Sequence, residues 1–290
     1  MKSQGASATA KVIAASTILL GSKPSTSALV APNAASLCKM FLSGSRADRC
    51  LARSAANPVT RRLWLWLERK TLPGIVAHYW HRKRWIERRC RDAIHNGISR
   101  LIVLGAGFDT LGARLAVEFP QLDVIEIDHA GTQRAKQKTL TANPGVLPNN
   151  LRFIALDLSA EPMPASLLKG SCATTVVIEG LLMYLAEAHV AHLFDSLSTL
   201  PRSSRILFSF MTRWPDGRLG FRPRSWLVER WLAWRGEPFT WALEPDAMQR
   251  FLAAHHVRLL EMVLTNQLTE QSAAGISCLE GENIVECEPA

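Results

Sequence analysis

Leu101-Ile102-Val103-Leu104-Gly105-Ala106-Gly107-Phe108-Asp109-Thr110 runs from four apolar residues into a turn of small ones. Four apolar residues without polar alternation fit a parallel strand buried on both faces. Gly105 and Gly107 carry no Cβ, so the backbone there can pass close beneath a nucleotide-like ligand. Asp109 and Thr110 offer capping oxygens to a helix starting at Leu111. The competing reading is a tight strand-to-helix turn that binds nothing, and the turn alone does not separate the two.

Downstream of the turn the pattern alternates. Helical spacing covers 111–119, a basic stretch 131–142 and 188–200, and strand-like runs cover 123–127, 152–156, 174–178 and 205–211. Residues 257–264 and 283–287 supply two last strands, read as an antiparallel hairpin closing one edge. The alternation predicts an α/β fold: a Rossmann-like, seven-stranded, mostly parallel sheet with right-handed crossovers and helices on both faces. Upstream, helical patterns over 11–20, 34–42 and 59–72 predict an N-terminal helical cap. Leu63, Trp64, Trp66 and Leu67 recur there at helical spacing and read as a core or cap stripe rather than a cofactor site. The alternation fails over 212–245, where five tryptophans and six arginines crowd together. An insertion after a late strand lies over the carboxyl edge of such a sheet, so this span is expected to be a helical lid. The whole is expected to be a single domain over 1–290, with a helical cap (1–97), a cofactor-binding core (98–211), a lid insertion (212–250) and C-terminal strands (251–290).

The chain has 290 residues, of which 48% are hydrophobic and 20% charged, enough for a full core. Its net charge of +9 would suit an anionic partner, but the excess sits in a few places, 61–62, 81–91 and 213–235, which argues against nucleic acid. The six cysteines show neither a C-x-x-C pair nor finger spacing. They read as reduced thiols of a cytoplasmic protein, with no metal site. No run approaches the roughly 18 apolar residues of a membrane span, so no membrane partner is expected. The apolar patch at 12–20 contains Ser16-Thr17 and lacks a clear cleavage site, which argues against a signal peptide.

Three acids, Asp128, Asp157 and Glu179, stand at or just past the carboxyl ends of successive candidate strands. Those ends converge on one crevice in an open parallel sheet. A carboxylate after the second strand can accept two hydrogen bonds from a ribose hydroxyl pair, which suits Asp128. Asp157 could meet an adenine amino group and Leu158 could cover the ring. A single such acid could be a helix cap, but three below a glycine turn favour a nucleoside ligand. A dinucleotide would want a third glycine where Thr110 stands. S-adenosylmethionine has ribose and adenine but no phosphate, so it needs the turn without the cradle. In the helix predicted over 79–96, Ile86, Cys90, Ala93 and Gly97 share an inward face, while Arg84, Arg88 and Arg91 point to solvent. Arg82 falls on the inward face, where a charge needs an anionic partner, either a ligand carboxylate or an internal ion pair.

Several blocks now carry a resemblance. Leu104-Gly105-Ala106-Gly107-Phe108-Asp109-Thr110, Glu126-Ile127-Asp128, Ala155-Leu156-Asp157-Leu158 and Glu179-Gly180-Leu181-Leu182-Met183-Tyr184-Leu185 resemble the leucine carboxyl methyltransferase-like family of class I S-adenosylmethionine-dependent methyltransferases. That family includes polyketide O-methyltransferases and protein-carboxyl methyltransferases. Arg82-Lys83-Arg84-Trp85-Ile86-Glu87, Gly236-Glu237-Pro238 and Gly281-Glu282-Asn283-Ile284-Val285-Glu286 are similar to further blocks of the family. The resemblance implies that Arg82 holds the methionine carboxylate and that Gly105 lies under the amino-acid end. It also implies that Asp128 binds the ribose, Asp157 and Leu158 the adenine side, and Glu179 the methionine amino group. Where many members have Arg directly after Asp-Thr, this chain has Leu111, and Arg114 is the nearest substitute.

These readings together predict an enzyme that transfers a methyl group from S-adenosyl-L-methionine to a carboxylate or hydroxyl of a small molecule. A carboxylate acceptor is ionised at neutral pH and needs no base, whereas a hydroxyl does. Tyr184, Glu187 and His189 follow the fourth strand, and His255-His256 precedes a later one, but none is assigned as a catalytic base. The rival readings are a dinucleotide-dependent oxidoreductase and a non-catalytic binding protein on the same fold.

Overall fold

The computed structural model describes residues 5–143, 147–168, 170, 172–264, 267 and 279–290. Before the first strand come α1 (Ala8–Gly21), α2 (Pro24–Ser27), α3 (Ala34–Phe41), α4 (Arg46–Ala56), α5 (Pro58–Thr71) and α6 (Ile75–His95). The alternating part follows as β1 (Arg100–Leu104), α7 (Leu111–Glu118), β2 (Asp123–Asp128), α8 (Ala130–Thr141), β3 (Leu151–Ala155), α9 (Ala165–Leu168), β4 (Thr174–Ile178), α10 (Glu187–Leu197) and β5 (Arg205–Met211). The chain ends with α11 (Trp226–Trp234), α12 (Met248–Ala254), β6 (Val257–Val263) and β7 (Glu282–Pro289).

The sheet order is β3-β2-β1-β4-β5-β7-β6. β1 pairs in parallel with β2 on one side and β4 on the other, so the winding direction reverses at β1. That reversal opens a crevice at the carboxyl ends of these strands. The expected hairpin of β6 and β7 forms, but β7 is inserted antiparallel between β5 and β6. The insertion brings the first residue of β7, Glu282, opposite Met211 at the carboxyl end of β5.

β1 shows why an unbroken apolar run was the right sign of a central strand. Ile102 and Leu104 face a core shared with β4, β5 and α10, while Leu101 and Val103 face one shared with α6 and α7. Each side chain buried in this way contributes about 1.5–3 kcal/mol. A third cluster joins α1, α3 and α4 to Phe108 of the glycine turn, whose ring lies 5.8 Å from that of Phe41. The turn residue Phe108 thus anchors the helical cap over the crevice.

Two expectations need correction. α5 forms where predicted, opened by Asn57 Oδ1 accepting from Val59 N at 2.8 Å with Pro58 at its first position. Its apolar stripe, however, is split: Trp64 packs partly buried on the cluster of α1, α3 and α4, while Leu63 is 56% and Trp66 53% exposed. Helical spacing establishes that residues share a face, not that anything covers it. On α6, Ile86, Cys90 and Ala93 are buried and Arg84 and Arg88 are exposed, as read. Arg91 instead pairs with Glu87 at 2.7 Å and Glu118 at 2.8 Å. Among the described residues no helix is long and apolar enough to cross a membrane, and no His, Cys, Asp or Glu cluster is arranged to hold a metal. Cys38, Cys50, Cys90, Cys172 and Cys287 are free thiols, and Cys278 lies outside the described residues.

Candidate active site

The glycine turn takes the backbone form its residues allow. Gly105 and Gly107 have φ of 64° and 48°, left-handed values that cost a side-chain-bearing residue about 1 kcal/mol or more. A Cβ on Gly105 would lie 3.1 Å from the side chain of Leu181, and one on Gly107 would lie 3.4 Å from Ala10 of α1. The turn is therefore roofed by the amino end of α1. Asp109 caps α7, its Oδ1 accepting from Leu111 N at 3.0 Å.

Asp128 closes β2 beside this turn. Its carboxylate accepts from Gly107 N at 2.5 Å and from His129 N at 2.6 Å. A carboxylate has about four acceptor sites, so two remain for a diol. Burial pushes this carboxyl above the ordinary aspartate range, and the two N–H donors oppose that rise. Asp157, past the end of β3, accepts from Ser159 N at 3.0 Å and Ser159 Oγ at 2.6 Å. Leu158 beside it lines a cavity of about 250 Å3 with Met163, Leu185 and His189. Because β3, β2, β1 and β4 are neighbours, Asp128, Asp157 and Glu179 stand along one edge of the sheet.

Glu179 and Arg82 are in direct contact. Arg82, 2% exposed, donates from Nε at 2.9 Å and Nη2 at 2.7 Å to Glu179 Oε1. Its Nη1 donates to Glu282, which also meets His78 Nε2 at 2.8 Å. The ring of Tyr79 lies 5.2 Å from the guanidinium carbon. In this structure the internal ion pair, one of the two partners considered for Arg82, is formed. Lys83 adds a second cation, with Nζ 2.9 Å from Glu179 and 2.5 Å from Asp109. Burial alone would raise the Asp109 carboxyl, but Lys83 outweighs it and holds it well below the usual range. Burial would likewise raise Glu282, yet Arg82 and His78 bring it down to about 2.

The Leu111 departure has a compensation one helical turn on. Arg114 forms a fork on Glu87 of α6, both bonds 2.6 Å, and donates from Nε to Thr110 Oγ1 at 3.0 Å. Glu87 is 5% exposed. Arg114→Ala removes both arms of the fork and leaves Glu87 to Arg91 alone, so urea unfolding should show a loss of about 2–4 kcal/mol. An unchanged midpoint would mean that the fork adds nothing.

Next to this cluster lies an apolar cavity of about 280 Å3. α1 contributes Thr9 and Ile13, α5 contributes Trp64 and Leu67, α6 contributes Tyr79, and α11 contributes Trp231. Tyr184 also lines it, while Arg82, Gly180 and Glu282 form the end nearest the charged cluster. Glu237, just after α11, accepts from Thr9 N at 3.2 Å and from Thr9 Oγ1. That places a carboxylate at the positive end of α1, which has no acid in its own first turn. The bond ties the segment after α11 to the start of α1.

Lys83, Glu282, His78 and Glu237 were not among the residues picked from sequence. Lys83 adjoins Arg82, and Glu237 and Glu282 stand in late blocks whose resemblance was noted without a role, so a signal existed for three of them. For His78 there was none. His255 pairs with Asp195 at 2.7 Å, which fits a structural role for it.

The family model for leucine carboxyl methyltransferase matches residues 28–198, more than half of the chain. A candidate S-adenosyl-L-methionine-dependent methyltransferase of Bacillus subtilis is 29% identical over 130 residues, 42% of this chain and 42% of the relative. The chain thus matches under half the length of that curated relative. In fold, the chain is similar to a DUF574 family protein from Streptomyces avermitilis, with a TM-score of 0.58 and 14% identity over 88% of this chain and 96% of that one. A candidate methyltransferase from Thermobifida fusca gives a TM-score of 0.57 and 18% identity over 87% and 93%.

Proposed function

This chain belongs to the leucine carboxyl methyltransferase family, and from that we propose that it is an S-adenosyl-L-methionine-dependent O-methyltransferase acting on a carboxylate or hydroxyl of a small molecule. The observation that carries the reading is Asp128, held on the glycine turn by two backbone N–H groups with acceptor capacity to spare. In this reading Asp128 takes the ribose hydroxyls, and Asp157 with Leu158 takes the adenine side. Gly105 lies under the amino-acid end, which Glu179, Arg82 and Lys83 hold.

The charged cluster supports a zwitterionic ligand. Glu179, Glu282 and Asp109 already pair with Arg82 and Lys83. A ligand that brings one ammonium and one carboxylate exchanges partners within that set and leaves the buried charge balance unchanged.

Once bound, S-adenosylmethionine supplies a methyl group on a sulfonium that is its own leaving group. The chain's part is to seat the acceptor and exclude water, which the apolar cavity, its roof α1 and the Thr9–Glu237 tie support. Burial raises Tyr79 to about 12 and Tyr184 higher still, so neither is a base at neutral pH. Glu68 also lines the cavity; burial raises its carboxyl, while Val76 N donates to it at 3.2 Å. A carboxylate acceptor needs no base, whereas Glu68 is placed to serve a hydroxyl. Glu68→Gln keeps the Val76 acceptor, and it should leave carboxylate methylation within about twofold while slowing hydroxyl methylation about 100-fold or more. Initial rates on both acceptor types measure this, and equal loss on both would remove Glu68 as a base.

Isothermal titration with S-adenosylmethionine tests the cofactor. Transfer of labelled methyl to a panel of apolar acids and phenols tests the acceptor, since an ester is cleaved by mild alkali and an ether is not. Folded protein that takes up no S-adenosylmethionine, or that labels only nitrogen or carbon, would overturn the proposal.

A further inference from the structure

The half-exposed stripe of α5 has a counterpart on α11, and both helices line the apolar cavity. On α5, Val59, Leu63 and Trp66 follow at i, i+4 and i+7 and are 76%, 56% and 53% exposed. Leu67 stands at the edge of this stripe, 42% exposed, and also lines the cavity. On α11, Trp226, Leu227 and Trp234 are 62%, 52% and 75% exposed, and Val228 and Trp231 on the adjoining face line the same cavity. Both helices therefore turn one apolar face to solvent and the neighbouring one to the cavity.

The charge around these faces is predominantly positive, although Arg224 is paired with Glu229 at 2.5 Å. α5 carries Arg61, Arg62, Arg69 and Lys70 against the single acid Glu68. Arg224, Arg230 and Arg235 lie in or beside α11, against Glu229. Tryptophan with basic residues on an exposed helix face suits the boundary between lipid headgroups and acyl chains, where the ring is half buried and the cation meets phosphate. Surface attachment of this kind requires no spanning helix.

We propose that the α5–α11 rim docks on an anionic lipid bilayer and that the cavity opens toward it. A second copy of the chain fits the rim less well, because a twofold contact sets the same basic patch against itself. That the cavity then receives an acceptor from the lipid phase rests on the methyltransferase reading, whereas the docking does not.

Flotation with phosphatidylcholine vesicles, with and without phosphatidylglycerol, tests the docking. The native protein should float with the mixed vesicles, not with the neutral ones, and salt should weaken the binding. Trp66→Ser with Trp234→Ser should reduce vesicle binding about tenfold or more. Arg62→Glu with Lys70→Glu should reduce it about fivefold or more for each charge changed. Equal affinity for neutral and anionic vesicles, no flotation, or variants that float like the native protein would overturn the proposal. So would a dimer in light scattering that both variant pairs dissociate. None of these four residues lines the cavity or touches the charged cluster, so titration of the same samples with S-adenosylmethionine reports separately on the methyltransferase reading.

Discussion

Glu282→Gln should lower the folding stability by about 3–5 kcal/mol, the usual cost of removing one partner from a buried ion pair. Glu282 is 1% exposed and meets both Arg82 and His78 on α6. Glutamine keeps the shape but loses the charge, leaving Arg82 paired with Glu179 alone in a buried site. The sign of the acid dependence follows from the carboxyl lying at about 2 in the folded protein against an ordinary 4.5. A depressed folded value contributes stability that is complete above the unfolded pKa and is lost as pH falls through about 2. The native protein should therefore lose stability more steeply than Glu282→Gln between those values. Urea midpoints measured across that range check both points. Equal midpoints at neutral pH would show that the cluster is not a structural tie between α6 and β7.

The same cluster shows where sequence reading stops. Residues 101–110 declared a central strand and a tight glycine turn because local constraints coincide there: both faces are apolar, and no Cβ is tolerated close by. The acids at Asp128, Asp157 and Glu179 were legible because parallel strands bring their carboxyl ends together. Arg82 was legible as an inward-facing cation, but its partner Glu282 lies 200 residues away. It reaches the site only because β7 enters antiparallel between β5 and β6. Periodicity does not encode strand order, so that contact could not be derived. The exchange of Leu111 for a longer reach from Arg114 to Glu87 needed the angle between α6 and α7. On α5, spacing revealed a face but not what lies opposite: Trp64 lines the cavity, while Trp66 is 53% exposed.

Asp128→Ala should raise the Kd for S-adenosylmethionine about 100-fold or more while leaving the protein folded. Two hydrogen bonds from a ribose to a carboxylate are charge-assisted, each about 1.5–3 kcal/mol, and alanine loses both. Alanine also releases Gly107 N and His129 N, which loosens the turn under the ligand. Asp157→Ala is the control: in this reading it meets one adenine amino group rather than a hydroxyl pair, so a smaller loss of about tenfold is expected. Asp128→Asn should fall between, since the amide oxygen still accepts but without charge. The pH dependence separates a ribose ligand from a merely structural acid. Burial lifts the Asp128 carboxyl above its ordinary value, so native affinity should decline on acidification at a higher pH than an exposed aspartate would give, while Asp128→Asn should show no such decline. Titration calorimetry across the acid range measures all four proteins. If native and Asp128→Asn affinities run parallel with pH, the carboxylate does not bind the ligand, and the glycine turn returns to being a strand-to-helix connection.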